Sequence, residues 1–300
     1  MVRAIIAALA VPAALAGAGA AHVAATVKVG PSACGMLAHG RYFYADSYGA
    51  GTLARIDPAT NRVVGRVSRL GTPCGLAAGS NAVWVEDYSG NEIVRVGLKH
   101  LRIVKRIRVG HHPWDVAYGF GSVWASNEGD GTVSRIDPRT NRVVKTIPTG
   151  GAPACLRAAA GAVWVGSETG DVFRIDPATN VSRTIHVGHT SELCIDPQPD
   201  GVWVVENFDD QVTVLDPTTY APLRTIKLPT RPTDAIRGPD GYEWVPSRFG
   251  GTVTRIDPAG GTIVDTIATG GAPFVIRAGF GDVWASNFGG STLWRLHVSP

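Results

Sequence analysis

The sequence predicts an all-β protein, a seven-bladed β-propeller built from four-stranded antiparallel blades. The first observation is a repeat of about 40 residues that runs through almost the whole chain of 300 residues. The second is that every repeat contains short runs of β-forming residues separated by Gly, Pro and Asn. The third is an aromatic residue in each repeat, at Tyr44, Trp84, Trp124, Trp164, Trp203, Trp244 and Trp284. A period of this length with this content is typical of propeller blades.

The third repeat shows how the sequence specifies one blade. Residues 112–117 form the predicted inner strand, and residues 122–126, 132–136 and 142–147 form the three strands that follow. Turn residues separate these strands, as a run of antiparallel strands requires. The same pattern makes residues 22–300 one domain, with blades near residues 31–70, 71–110, 111–150, 151–188, 189–228, 229–270 and 271–298.

Two recurring features have structural interpretations. The large aromatic side chain of each repeat is expected to fill the wedge between neighbouring blades. An Ile-Asp-Pro segment ends the third strand of most repeats, where Pro favours a type I turn and Asp accepts hydrogen bonds from turn amides. We therefore interpret the Asp residues of these turns as structural and not catalytic: Asp57, Asp137, Asp176, Asp216 and Asp257.

The seventh repeat ends after its third strand, so a fourth strand must come from elsewhere in the chain. Residues 23–30 resemble the outer strand of other repeats, such as residues 183–188. We predict that this N-terminal strand pairs with residues 292–296 and closes the ring. Closure removes exposed sheet edges, which otherwise invite aggregation.

The N-terminus predicts export. Arg3 precedes an apolar stretch over residues 4–16, and small residues follow. This pattern is typical of a secretory signal peptide, here residues 1–21, and an uncleaved anchor is the alternative. No later segment approaches the length of a membrane-spanning helix, so we expect a secreted or cell-envelope protein without a membrane span.

Composition and charge narrow the classes of partner. The 28 Lys and Arg residues and 25 Asp and Glu residues are interspersed, and the net charge is +3. Because no run of Lys or Arg is present, we expect no nucleic-acid partner. The 37 Gly and 20 Pro residues suit an all-β protein with many tight turns, and we expect a monomer.

Four cysteines in an exported chain make disulfides the first hypothesis. Cys34 and Cys74 occupy one column of neighbouring repeats, and Cys155 and Cys194 share the adjacent column. These are the favoured pairs among three connectivities. Equivalent positions of neighbouring blades point the same way around the ring, whereas a disulfide needs side chains that face each other. Buried free thiols therefore stay an alternative.

Loops at one face of a propeller surround the mouth of its central channel, where ligands usually bind. These are the loops from each outer strand to the next inner strand, and those between the second and third strands. In this chain they carry aromatic and charged residues. The predicted ligand-binding residues are Tyr48, Tyr88, Trp114, Asp115, Arg248, Phe274 and Phe288. Such a surface suits a sugar, a peptide, a protein or a small molecule, although solvated loop side chains would give the same pattern.

The same face supplies candidates for metal-assisted catalysis. Carboxylates with a divalent metal such as Mg²⁺ or Ca²⁺, and a His as base, could support a lyase or hydrolase reaction. The candidate catalytic residues are Glu128, Glu168, Glu206, Asp234, His112 and His189. Their spacing matches no known metal motif, so no metal site is assigned and no cofactor is expected.

Residues 124–147 resemble the YVTN repeat, whose pattern runs aromatic-x-Thr/Ser-Asn and then Val-x-x-Ile-Asp-x-x-Thr-Asn-x-Val-x-x-Thr-Ile. Parts of this pattern recur at residues 284–287 and 256–258. The resemblance covers nearly the whole mature chain and implies the propeller fold. The wider group includes the virginiamycin B lyase (streptogramin lyase) family, to which this chain is similar in repeat spacing.

That family places catalytic histidines just after a Pro at the start of inner strands, beside a Glu and a magnesium ion. The matching strings here are residues 73–76, 113–116, 153–156 and 273–276, and none contains His. The base that would take a proton from the substrate is absent from its place, so streptogramin lyase activity is not expected.

Three hypotheses for function follow. The favoured one is an exported, non-catalytic propeller that binds a ligand or partner through its channel mouth. The alternative is a metal-assisted lyase or hydrolase that uses the carboxylates around the mouth. The third is a purely structural surface or cell-wall module.

Overall fold

The chain forms a ring of seven four-stranded antiparallel sheets, which confirms the predicted seven-bladed propeller. The structure is a computed structural model that describes residues 19–188 and 191–298. The predicted signal peptide lies almost wholly outside the described residues, and so does His189. Within the described ranges, the helix is a single 3-10 turn, Glu128–Asp130. No helix of the described residues is long and apolar enough to cross a membrane.

The first three blades follow the chain in order. Blade one contains β2 (Ala33–His39), β3 (Tyr42–Ser47), β4 (Thr52–Asp57) and β5 (Arg62–Val67). Blade two contains β6 (Leu76–Gly79), β7 (Ala82–Asp87), β8 (Glu92–Gly97) and β9 (Arg102–Arg108). Blade three contains β10 (Pro113–Gly119), β11 (Ser122–Asn127), β12 (Thr132–Asp137) and β13 (Arg142–Pro148).

The remaining blades continue the same order, and the last one uses both termini. Blade four contains β14 (Pro153–Ala159), β15 (Ala162–Ser167), β16 (Asp171–Ile175) and β17 (Ser182–His186). Blade five contains β18 (Leu193–Gln198), β19 (Gly201–Glu206), β20 (Gln211–Leu215) and β21 (Pro222–Lys227). Blade six contains β22 (Ile236–Arg237), β23 (Glu243–Ser247), β24 (Thr252–Ile256) and β25 (Ile263–Ala268). Blade seven contains β26 (Pro273–Gly279), β27 (Asp282–Asn287), β28 (Thr292–Val298) and β1 (Ala21–Lys28).

The N-terminal strand closes the ring, as predicted. β1 pairs antiparallel with β28, and Val27 lies opposite Leu293. The strand begins at Ala21, two residues before the predicted start. Val27 and Val29 are buried in one cluster with Phe43 and Trp284, so the closing segment contributes apolar side chains as well as backbone hydrogen bonds.

The aromatic column is buried between blades. Trp84, Trp124 and Trp284 are fully buried, and the ring of Trp284 stacks on Phe43 of the neighbouring blade with centroids 4.4 Å apart. The indole Nε1 of Trp124 donates to the carbonyl of Gly119 at 3.1 Å, which satisfies its polar atom. Each blade therefore buries a large apolar surface against the next one.

An arginine of the third strand connects neighbouring blades. The guanidinium of Arg95 lies 5.0 Å from the centroid of Trp84, and its Nη1 donates to Asn141 Oδ1 of the next blade at 2.7 Å. Arg135 and Arg295 repeat this arrangement, each over a Trp and each bonded to an Asn of the following blade. Both the π-face contact and the hydrogen bonds contribute to blade packing.

The Asp residues of the Ile-Asp-Pro turns have structural partners. The amide of Ala178 donates to Asp176 Oδ1 at 2.7 Å, and the amide of Thr218 donates to Asp216 Oδ1 at 2.8 Å. These amide hydrogen bonds lower the pKa of both carboxyl groups. The equivalent bonds are present at Asp57, Asp137 and Asp257.

Candidate functional site

A cavity of about 220 Å³ opens at the mouth of the central channel. We call it the mouth cavity. Side chains of the inner-strand starts and of the loops between second and third strands line it. The lining residues are Tyr48, Cys74, Glu86, Tyr88, Trp114, Glu192, Arg248, Phe274 and Phe288.

Bulges at the start of the inner strands direct side chains toward the channel. The pairing register of β10 shifts between Pro113 and Asp115, and that of β26 shifts between Pro273 and Ile276. A bulge bends a strand and changes the direction of the side chains within it. Trp114 and Phe274 lie within these two bulges, and both line the mouth cavity.

Six of the seven predicted ligand-binding residues lie together around this cavity, and their role in binding stays a proposal. The aromatic rings contact one another edge to face or tilted. Tyr88 and Trp114 have ring centroids 5.9 Å apart, as do Tyr48 and Phe288, and those of Phe274 and Phe288 are 5.1 Å apart.

The seventh residue, Asp115, lies outside the mouth cavity, in a network that spans the channel. Its Oδ2 pairs with Arg157 Nη1 at 3.2 Å, and Arg157 Nη2 pairs with Asp234 Oδ1 at 2.7 Å. Arg277 Nη1 pairs with the other oxygen of Asp234 at 2.5 Å. Asp115 is only 8% exposed, and it lines a smaller adjoining cavity of about 40 Å³. We call these four residues the channel network.

The channel network separates the two ends of the channel. Arg157 and Arg277 line the smaller cavity and also a cavity of about 240 Å³ on the opposite side. Both Asp residues also accept amide hydrogen bonds from the next blade, at Leu156 and Ile276. These paired charges connect four blades across the channel.

Two disulfides link neighbouring blades beside the channel. Cys34 is bonded to Cys74 with Cα atoms 5.0 Å apart, and Cys155 is bonded to Cys194 with Cα atoms 5.1 Å apart. The chain has four cysteines, so none is free. Neighbouring inner strands approach each other closely at the axis, so equivalent cysteines of adjacent blades come into contact. A disulfide requires this proximity, and the alignment of the repeats alone does not establish it.

Glu86 lines the mouth cavity, and its carboxyl group is only partly hydrogen-bonded. Its Oε1 accepts hydrogen bonds from the amides of Cys74 and Gly75, the latter at 3.0 Å. Its Oε2 has no hydrogen-bond partner among the described residues, and the side chain is 1% exposed. Burial raises the pKa of Glu86 well above its usual range, and the negative charge of Asp46 adds to the rise. The site therefore favours the neutral acid.

The raised pKa of Glu86 makes a prediction about stability. The unfolded chain releases this proton at lower pH than the folded chain, so the contribution to stability decreases as the pH rises above the usual pKa of Glu. We expect E86Q, which is neutral at every pH, to melt a few degrees above wild type at pH 7 and level with it near pH 4. Melting curves from pH 4 to 8 measure this.

Glu92 provides the matched control. It lies partly exposed in an ion pair with Arg106 at 3.2 Å, so E92Q should show no gain that grows with pH. An E86Q protein that is less stable than wild type at pH 7 would show that Glu86 is charged in the folded state.

The acidic side of the mouth is formed by blades three to five. Glu128 Oε2 accepts a hydrogen bond from the Tyr88 hydroxyl at 3.0 Å. Burial and the charge of Glu128 raise the pKa of Tyr88 to about 12, so this phenol stays protonated. Burial also raises the pKa of Glu168 and of Glu192, although Arg248 opposes the rise at Glu192.

Two of the described candidate catalytic residues are engaged by structural partners. Glu206 is buried and accepts a hydrogen bond from Thr213 Oγ1 at 2.5 Å, and Asp234 belongs to the channel network. His112 is exposed and stacks on Tyr88 with centroids 4.7 Å apart. Within residues 19–188 and 191–298, no group of three His, Cys, Asp or Glu side chains is arranged to hold a metal ion.

Sequence reasoning did not assign several residues of the site. Glu192, Arg157 and Arg277 were not identified, and Glu86 was not among the predicted ligand-binding residues. A weak signal for the arginines is present in the repeat. Arg157 and Arg277 each follow an apolar residue at the same place in an inner strand, where the second and third repeats have Ala77 and Ala117.

Comparisons with known proteins agree with the fold. No protein-family model matches the chain, and no curated protein sequence matches it either. The chain is similar in structure to virginiamycin B lyase from Staphylococcus aureus, with a TM-score of 0.79 and 15% identity over 92% of this chain and 99% of that one. A catalytically inactive variant of that lyase, with quinupristin, has a TM-score of 0.81 at 15% identity, with the same coverage.

A third solved structure with a similar fold is a different enzyme. Hydrazine synthase of Kuenenia stuttgartiensis has a TM-score of 0.77 and 18% identity over 91% of this chain and 98% of that one. At these identities the similarities establish a virginiamycin B lyase-like seven-bladed propeller fold and no activity, since one fold carries many functions.

Proposed function

We propose that this protein is an exported β-propeller scaffold that binds a small ligand in its mouth cavity without catalysing a reaction. One observation carries the proposal. Five aromatic side chains surround a cavity of about 220 Å³ that also holds a small number of polar groups. This combination of apolar walls and few polar groups is typical of small-molecule sites.

The polar groups of the mouth favour binding over catalysis. The Tyr88 phenol keeps its proton and donates a hydrogen bond to Glu128, and Glu206 and Asp234 are engaged by structural partners. A general base needs a free acceptor within hydrogen-bond reach of the substrate. The metal-assisted alternative has less support, because it requires carboxylates that converge on one point.

Export is supported by the N-terminal residues and by the cysteines. Residues 1–21 have the pattern of a signal peptide, and disulfides such as the two in this chain form in oxidising compartments. We infer a secreted or cell-envelope location. Fractionation of a producing cell, with an antibody against the mature chain, tests this inference.

A neutral aromatic probe tests ligand binding at the mouth. Coumarin is planar and uncharged, so its binding reports the apolar walls alone. We expect saturation-transfer NMR signals from coumarin with wild type and their loss with W114A/F274A, because both rings line the cavity.

The control is the variant F120A/F280A. Phe120 and Phe280 are also exposed aromatics, at 44% and 37%, but they lie in turns between first and second strands, on the opposite face. This variant should keep the coumarin signal. Equal signals from wild type and W114A/F274A would refute binding at the mouth cavity.

A further inference from the structure

Arg248 has an unusual environment for an arginine of this protein. It follows the last residue of β23, and its half-buried side chain lines the mouth cavity. The guanidinium lies 4.9 Å from the ring centroid of Phe288 and 5.2 Å from that of Phe274. Aromatic rings stabilise a guanidinium by contact with its face. The N–H groups of the guanidinium point outward in its own plane, where the rings do not accept hydrogen bonds from them.

The N–H groups of Arg248 are available to a ligand. Among the described residues, no side chain or carbonyl accepts a hydrogen bond from its guanidinium, and no carboxylate lies within 4.0 Å of it. Arg95 and Arg135 also lie over aromatic rings, but each donates to a carbonyl and to an Asn of the next blade. Those two arginines are structural, whereas Arg248 keeps its donors free beside a cavity.

The backbone holds Arg248 in this position. Its amide donates to the carbonyl of Arg231 at 2.9 Å, across the entrance to blade six. Arg231 lies on the same side of the mouth, 4.4 Å from the ring centroid of Phe208, and its Nη1 donates to Asn207 Oδ1 at 3.3 Å. Two arginines therefore make this side of the mouth basic.

The acids nearest to Arg248 do not neutralise it. The Glu192 carboxylate lines the same cavity but lies more than 4.0 Å from the guanidinium of Arg248, and burial raises its pKa although Arg248 and Arg231 oppose the rise. Glu86 also lines the cavity, and burial raises the pKa of its carboxyl group well above the usual range, which reduces its negative charge.

We propose that the mouth cavity binds a ligand that carries a carboxylate on an aromatic or apolar body, with the carboxylate on the guanidinium of Arg248. The fork of N–H donors matches the two oxygens of a carboxylate, and the rings of Phe274, Phe288 and Trp114 cover the body of the ligand. This inference rests on the proposed function, because it names the ligand class of the same cavity.

Three probes with one body and different charge test the inference. Phenylacetate, phenylacetamide and phenethylammonium all carry a benzyl group, but they are negative, neutral and positive at pH 7. Titrations followed by NMR chemical shifts give a dissociation constant for each. We expect phenylacetate to bind about tenfold more tightly than phenylacetamide, and phenethylammonium to bind most weakly.

Substitution of Arg248 then identifies the anchor. We expect R248Q to weaken phenylacetate binding about tenfold and to leave phenylacetamide binding nearly unchanged. R248K keeps the positive charge but lacks the paired N–H donors of the guanidinium, so its dissociation constant for phenylacetate should lie between those of wild type and R248Q. R139Q is the control, because Arg139 is 88% exposed in a turn on the opposite face and should leave all three constants unchanged.

The outcomes separate this inference from the proposed function. Equal affinity for the three probes, or tighter binding of phenethylammonium, would overturn the carboxylate preference while leaving binding at the mouth intact. A preference for phenylacetate that persists in R248Q would place the anion elsewhere and overturn the assignment. Absence of binding by all three probes to wild type would refute both proposals.

Discussion

A chain that begins at Pro31 should melt far below the chain that begins at Gly19, by on the order of 10 °C or more. The shorter chain lacks β1, which forms the outer strand of blade seven. It therefore loses the burial of Val27 and Val29, and it exposes the backbone of β28 as a free edge. Each buried Val contributes about 1.5–3 kcal/mol, and an open edge adds a risk of aggregation.

Two point variants test the same seam without truncation. Val27 is 3% exposed and packs near Phe43 and Trp284, whereas its neighbour Thr26 is exposed. V27D buries an unpaired charge and should lower the melting temperature strongly, but T26D should change it little. Thermal denaturation followed by circular dichroism measures both. Equal melting of the two variants would show that the N-terminal strand does not close the ring.

Loss of the disulfide between Cys34 and Cys74 should have the second largest effect. The bond closes a loop with a sequence separation of 40 residues, and the chain-entropy relation gives about 4 kcal/mol for a loop of this size. We expect C34S/C74S to shift the midpoint of denaturation by urea to clearly lower concentration. C155S/C194S should lower the midpoint by a similar amount, because Cys155 and Cys194 are also far apart in the sequence, with a separation of 39 residues.

Reduction of the wild-type protein provides an independent measurement. Wild type in reductant should approach the stability of the variant that lacks all four cysteines, and that variant should not respond to reductant. Four reactive thiols in wild type that has been denatured without reductant would contradict the paired state.

Much of the fold could be predicted because the repeat is strict. An aromatic residue every 39 to 41 residues specifies the number of blades, and the β-strands of blade three differ from their predicted bounds by at most two residues. The closing strand was predicted from its likeness to other outer strands, and it begins only two residues earlier, at Ala21. Local patterning suffices here, since each blade repeats one set of turns and strands.

The site was only partly predictable. Tyr48, Tyr88 and Trp114 were found because the repeat places their loops at one face. Asp115 was assigned to the same surface, but its side chain turns into the channel network, where Arg157 neutralises it. Repeat alignment gives the face of the ring on which a residue lies, and it does not give the depth of its side chain along the axis.

The sequence by itself determined the number of blades, the strands of the third repeat, the closing strand and the face that carries the aromatic loops, because these follow from hydrophobic periodicity and turn chemistry within one repeat. Only the tertiary structure decided which charges pair across the axis and which stay free. Arg157 and Asp234 come from different blades and meet at 2.7 Å only once the ring has closed. The same closure places Arg248 over two phenylalanines without a carboxylate within 4.0 Å among the described residues. Contacts between distant repeats depend on ring geometry, and no single repeat encodes them.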